Sequence, residues 1–147
     1  MGQLDGKVAL VTGAGDGIGA GIARVFAAEG ARVVVAEINP DTGRAVADSL
    51  GDAGHFVACD VADKSQVESA VTAAVDYFGT LDVLVNNAWG GGRISRVEQK
   101  TPELVQGGLD IGFLGPLWAM NAAHAVMKPK GCCLLYTSDA ADDIPRV

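Results

Sequence analysis

The chain has 147 residues, 49% of them hydrophobic, with 20 glycines. That is enough for one domain with a sizeable core, and it excludes a fibrous or disordered chain. The formal net charge is −7, and Lys and Arg are scattered, which excludes a nucleic-acid surface.

The N-terminus, "MGQLDGKVAL", lacks the charged-then-apolar build of a signal peptide. No apolar run is long enough to span a bilayer. A cytoplasmic location with no membrane partner is expected. "VALV" (8–11) reads as a buried strand. From Gly17 the period changes. Ile18, Ile22, Val25 and Phe26 recur at helical spacing and predict the buried face of a helix stopped by Gly30. "ARVVVAE" is a second strand, ending at Glu37. Pro40 opens a second helix that runs to about Leu50. "HFVACD" is a third strand. A third helix spans about Lys64 to Phe78, with Val67, Val71 and Val75 on one face and Ala70, Ala74 and Phe78 beside them. "LDVLVNN" is a fourth strand.

Strands apolar on both faces need cover on both sides. The alternation therefore predicts an α/β fold, a doubly wound parallel sheet with helices above and below. After Asn87 comes a polar, glycine-rich loop, "WGGGRISRVEQKTPE". A mostly apolar helix follows from about Pro102 or Leu109 to Met127, interrupted at Gly112, Gly115 and Pro116. "CCLLY" reads as a fifth strand.

The strongest chemical signal is "TGAGDGIG", Thr12 to Gly19, between the first strand and the first helix. A dinucleotide's pyrophosphate needs a tight turn, bare backbone and a helix N-terminus aimed at the charge. Gly13 allows the turn, and Gly17 and Gly19 let the backbone approach. Asp16 and Ile18 belong to the same contact stretch. Glu37 can accept hydrogen bonds from the adenosine ribose and repel a 2′-phosphate, which favours NAD over NADP. Asp60 and Val61 suit the adenine edge, as an acceptor and an apolar wall. In Asn86-Asn87-Ala88, an asparagine can hold adjacent strand ends together, and Ala88 leaves room for a ribose. Cys59, Cys132 and Cys133 have no paired spacing, and His55 and His124 stand alone, so no metal site is expected. The turn also lacks the lysine and hydroxyl of an NTPase loop.

With these residues in place, residues 4 to 131 resemble the N-terminal half of a short-chain dehydrogenase/reductase. The family's TGxxxGxG is Thr12, Gly13, Gly17 and Gly19, its adenine-contacting pair is Asp60-Val61, and its NNAG is Asn86-Asn87-Ala88-Trp89. The resemblance implies a Rossmann-like fold, NAD as cofactor, a small-molecule substrate and a homo-oligomeric parent. It implies hydride transfer between the nicotinamide and an alcohol/carbonyl pair. A tyrosine with a lysine four residues on would act as general acid/base, and a serine would hold the substrate oxygen. Three departures stand out. Trp89 replaces a glycine, Gly112 replaces the asparagine of N-x-x-G, and no Tyr-x-x-x-Lys occurs in the sequence.

Ser138 follows the fifth strand and is the one catalytic candidate. "CLLYTSDAAD", Cys133 to Asp142, also matches a reading frame of a sequencing adapter. On that expectation residues 1–132 are a partial dinucleotide-binding domain truncated after about the fifth strand, and 133–147 are a non-native tail. Such a chain would be inactive as written. A non-catalytic dinucleotide-binding or structural protein of the same fold is the alternative.

Overall fold

Val8–Thr12, Arg32–Glu37, Gly54–Ala58, Val83–Asn86 and Leu134–Thr137 are strands β1 to β5 of one parallel sheet in the computed structural model. Their order is β3-β2-β1-β4-β5. The structure describes residues 2–90, 96–131 and 134–137, the last four by backbone alone. β1 is central, with Leu10 level with Val34 on one side and Leu84 on the other.

The central strands are valine-rich without polar alternation because both faces are covered. Successive side chains point to opposite faces, and two cores result. Leu10, Val34 and Leu84 pack with Val67, Val71, Ala74 and Met127 from helices α3 (Lys64–Phe78) and α5 (Gly115–Met127). Val11, Val33 and Val35 pack with Ala20, Ala23 and Val46 from α1 (Gly17–Ala28) and α2 (Pro40–Ser49).

The predicted buried stripe of α1 is only partly right. Ile18 and Val25 are 78% and 60% exposed, while Gly19, Ala20 and Ala23 are buried. The helix lies so close to the strands that only small residues fit beneath it. α3 is buried on the predicted side, through Val67, Ala70, Val71, Ala74 and Phe78. The Asp63 carboxylate caps it, accepting from the Ser65 hydroxyl at 2.7 Å, the Gln66 amide side chain at 3.0 Å and both their backbone N–H groups. These bonds hold its carboxyl below the ordinary range.

The expected interrupted helix is two helices, α4 (Pro102–Leu109) and α5, joined by a π-helical turn at Asp110–Leu114. Pro116 has no N–H to give the Gly112 carbonyl four residues back, and its ring crowds that carbonyl, so the ladder opens there. β5 pairs with β4 in parallel register, Val83 with Leu134 through Asn86 with Thr137. A stretch read as translated adapter thus supplies a strand in register with the sheet, and the adapter reading is corrected at that point.

Each of α1, α2 and α3 follows directly on a strand. Strand carboxyl ends and helix N-termini therefore gather at one edge of the sheet, where ligands of such folds bind.

Candidate functional site

The crevice is built on the end of β1. Thr12 is 3% exposed. Its hydroxyl accepts from the N–H groups of Asn87 and Ala88, both at 3.1 Å, and donates to the Val85 carbonyl at 3.4 Å. The Asn87 side-chain amide returns the contact, donating to the carbonyls of Thr12 at 3.0 Å and Gly13 at 3.1 Å. Two strand ends more than seventy residues apart in sequence are thereby fixed side by side.

Replacing Thr12 by valine keeps the volume but leaves two amides without their acceptor. Thr12→Val is expected to lower unfolding stability by about 2 kcal/mol, and Thr12→Ser by much less. Urea denaturation of the three proteins checks this, and equal midpoints for valine and serine would refute it.

Gly13 takes φ +64°, and a Cβ on it would lie 2.7 Å from the Ala88 Cα. A Cβ on Gly19 would lie 2.2 Å from the Gly13 carbonyl oxygen and 2.4 Å from the Asn87 amide nitrogen. Gly17, at φ +53°, faces open space. Asp16 caps α1, its carboxylate accepting from the Gly17 N–H at 2.7 Å. The next amides, of Ile18 and Gly19, belong to the first turn, which has no carbonyls four residues back to bond.

Glu37 has a role that the sequence did not suggest. One carboxylate oxygen accepts from the Gly15 N–H at 2.9 Å and the other from the Asn39 N–H at 3.1 Å. It ties the glycine turn to the end of β2. Asp60 accepts from the Ala62 N–H at 2.9 Å, and its own N–H donates to the Gln66 side-chain oxygen at 2.9 Å.

One cavity of about 560 Å³ joins these elements. Gly13, Asp16, Gly17, Ile18, Gly19, Glu37, Asp60, Val61, Asn87 and Ala88 all line it. Among the sequence-predicted cofactor residues Thr12 alone does not, because its side chain is spent inside the sheet. Ser138 lies outside the described residues. Ile38, Cys59, Trp89, Gly90 and Ile111 complete the lining. Ile38 and Cys59 are neighbours of residues already singled out. Ile111 comes from the π-helical turn, and no local pattern marks it. The volume is that of a small-molecule or cofactor site, about 300–1,000 Å³. Bare glycine backbone, a helix N-terminus and a carboxylate at the end of β2 fit a dinucleotide. No group of three metal-ligating side chains comes together among the described residues.

Cys59 is 4% exposed. Burial first, then the carboxylates of Asp60, Asp63 and Glu37, push its thiol up to about 11. With Cys132 and Cys133 changed to serine, Cys59 is expected to resist iodoacetamide at neutral pH, since the thiolate is the nucleophile. The unfolded chain releases this proton near the ordinary value, about 8.5. Stability is therefore fully present below that pH and falls as pH rises towards 11. Urea midpoints of wild type and Cys59→Ala across that window check the sign. A wild-type midpoint that rises relative to the variant would contradict it.

The family model described as short chain dehydrogenase matches residues 7–143. Momilactone A synthase of Oryza sativa subsp. japonica is 43% identical over 129 residues, covering 86% of this chain and 47% of that protein. Galactitol 2-dehydrogenase of Agrobacterium fabrum is 40% identical over 127 residues, covering 85% and 48%. The crystal structure of 3-ketoacyl-(acyl-carrier-protein) reductase from Brucella melitensis complexed with NADH superposes with a TM-score of 0.88 at 36% identity, covering 92% of this chain and 57% of that one. The chain spans about half the length of the curated relatives it matches.

Two expectations are corrected by these matches. The family match runs through Cys133 to Asp142, so that stretch is family sequence and not an adapter-derived tail. The match also continues past β5, to residue 143, so the family pattern does not stop at the fifth strand as expected.

Proposed function

The chain belongs to the short chain dehydrogenase family, and on that footing we propose that its crevice binds NAD(H) for hydride transfer between the nicotinamide and an alcohol/carbonyl substrate. The observation that carries the reading is the single cavity lined together by the glycine turn, Glu37, Asp60, Ala88 and Trp89.

The first-turn amides of α1 would face the pyrophosphate, with Gly17 leaving the backbone bare. Glu37 would accept from the adenosine ribose, and Asp60 with Val61 would meet the adenine. Thr12 and Asn87 hold β1 and β4 at the spacing this needs. When bound, the nicotinamide supplies the hydride chemistry. The chain's own task is to fix the dinucleotide along the strand ends and to keep Ala88 small beneath a ribose. A homo-oligomer is part of the same proposal. Val105, Leu109, Phe113 and Leu117 leave an apolar row exposed along α4 and α5, a surface that a second copy could cover.

One observation favours a second reading, a non-catalytic dinucleotide binder. Gly112 offers no side chain to a proton relay, where the family pattern has an asparagine. Calorimetric titration with NAD+ and NADH tests the shared part, and absence of binding would sink both readings. NADH consumption with a panel of ketones and aldehydes then separates them. Turnover supports the oxidoreductase, and binding without turnover supports the second reading.

A further inference from the structure

Trp89 and Gly112 are 23 positions apart, on different elements, and meet beside the crevice. A Cβ at residue 112 would lie 2.9 Å from the Trp89 Cζ3, 3.6 Å from Cε3 and 3.8 Å from Cη2. The benzo edge of the indole thus rests on bare backbone, at the middle of the π-helical turn. The rest of the side chain is open, with Trp89 78% exposed. Among the described residues the cavity lining falls into two chemical parts. Asp16, Glu37 and Asp60 make one of them anionic. Ala88, Trp89, Gly90 and Ile111 make the other apolar, with no titratable group.

We propose that Trp89, seated on Gly112, binds the cofactor directly, its open indole face stacking on the ring that ends the dinucleotide, the nicotinamide. This rests on the reading of the crevice as a dinucleotide site. An indole accepts a flat ring by offset stacking, and more strongly when the ring is the cationic pyridinium of NAD+. Glycine at 112 is part of the device. Any larger residue would lift the indole from its seat and turn its face away.

The test compares NAD+ with ADP-ribose, which has the same adenosine and pyrophosphate but no nicotinamide ring. Calorimetry on the whole chain gives both affinities for wild type, Trp89→Ala, Gly112→Ala and the double variant. Trp89→Ala is expected to weaken NAD+ about tenfold, the effect of one good aromatic stack, and to leave ADP-ribose within about twofold. Gly112→Ala should weaken NAD+ in the same direction, and adding it to Trp89→Ala should cost nothing more. Circular dichroism confirms folding, and Trp89→Phe, which keeps a flat ring, should recover most of the affinity. Equal losses for both ligands, or no loss for NAD+, would overturn the proposal while the dinucleotide reading stands. If wild type binds neither ligand, the dinucleotide reading fails and this inference falls with it.

Discussion

NADP+ is expected to bind this chain about thirtyfold more weakly than NAD+, on the order of 2 kcal/mol. The difference comes from the Glu37 carboxylate at the end of β2. It cannot swing away freely, because its oxygens accept from Gly15 at 2.9 Å and Asn39 at 3.1 Å. A 2′-phosphate beside it places two anions together in a half-desolvated crevice. At about 4 Å such a pair costs ~1 kcal/mol in water and ~4 kcal/mol at an effective dielectric near 20.

Among the described residues, the two arginines that flank Glu37 in sequence are held against aromatic rings. The Arg44 guanidinium sits 5.1 Å from the centre of the Phe56 ring. That of Arg32, at the opposite end of β2 from Glu37, sits 5.3 Å from the centre of the Phe78 ring. Glu37→Gln keeps the shape and one acceptor oxygen but removes the charge, so the preference should shrink to a few-fold. Calorimetric titration of both cofactors into both proteins gives the ratios. Equal affinities in wild type would defeat the argument. An unchanged ratio in Glu37→Gln would move its cause elsewhere.

Gly19→Ala and Gly17→Ala, two residues apart in the same turn, should fail in different ways. At Gly19 the new Cβ meets the Gly13 carbonyl oxygen at 2.2 Å and Asn87 at 2.4 Å. Backbone cannot step aside there without pulling α1 off the sheet. A loss of about 3 kcal/mol in stability is expected, at the upper end of overpacking costs. At Gly17 a Cβ meets nothing within 4 Å, and only the positive φ of +53° opposes it. That strain costs about 1–2 kcal/mol. Gly17 lines the cavity, so its methyl group would stand where the pyrophosphate approaches. Gly17→Ala should therefore remain folded and lose NAD+ affinity at least about tenfold, ~1.4 kcal/mol. Urea midpoints and NAD+ titrations on both variants check the contrast. A Gly17→Ala protein that binds like wild type would show that the pyrophosphate does not pass there.

The sequence by itself determined what depends on neighbours along the chain. Valine runs bounded by turn residues marked the strands, and the change of period after Gly17 marked a helix. TGAGDGIG, Glu37 and Asp60-Val61 could be placed in the crevice because each closes a strand whose direction follows from the β-α alternation. Hydrophobic count misled at α1, where Ile18 and Val25 are larger than Ala20 and Ala23 but lie outside. Periodicity reports which residues share a face. It does not report how close the sheet will come to that face.

The tail shows the same limit from the other direction. Read as a string, Cys133 to Asp142 matched adapter, yet Leu134–Thr137 lie in register beside Val83–Asn86. Only the tertiary structure decided contacts between residues distant in the chain. Glu37 clamps Gly15, Thr12 and Asn87 join two strands, and Trp89 rests on Gly112. Read along the chain, Trp89 and Gly112 were two unrelated departures from a pattern. In space they are one feature, because distances of a few ångströms are set by how strands pair and helices pack, and no local stretch of sequence carries them.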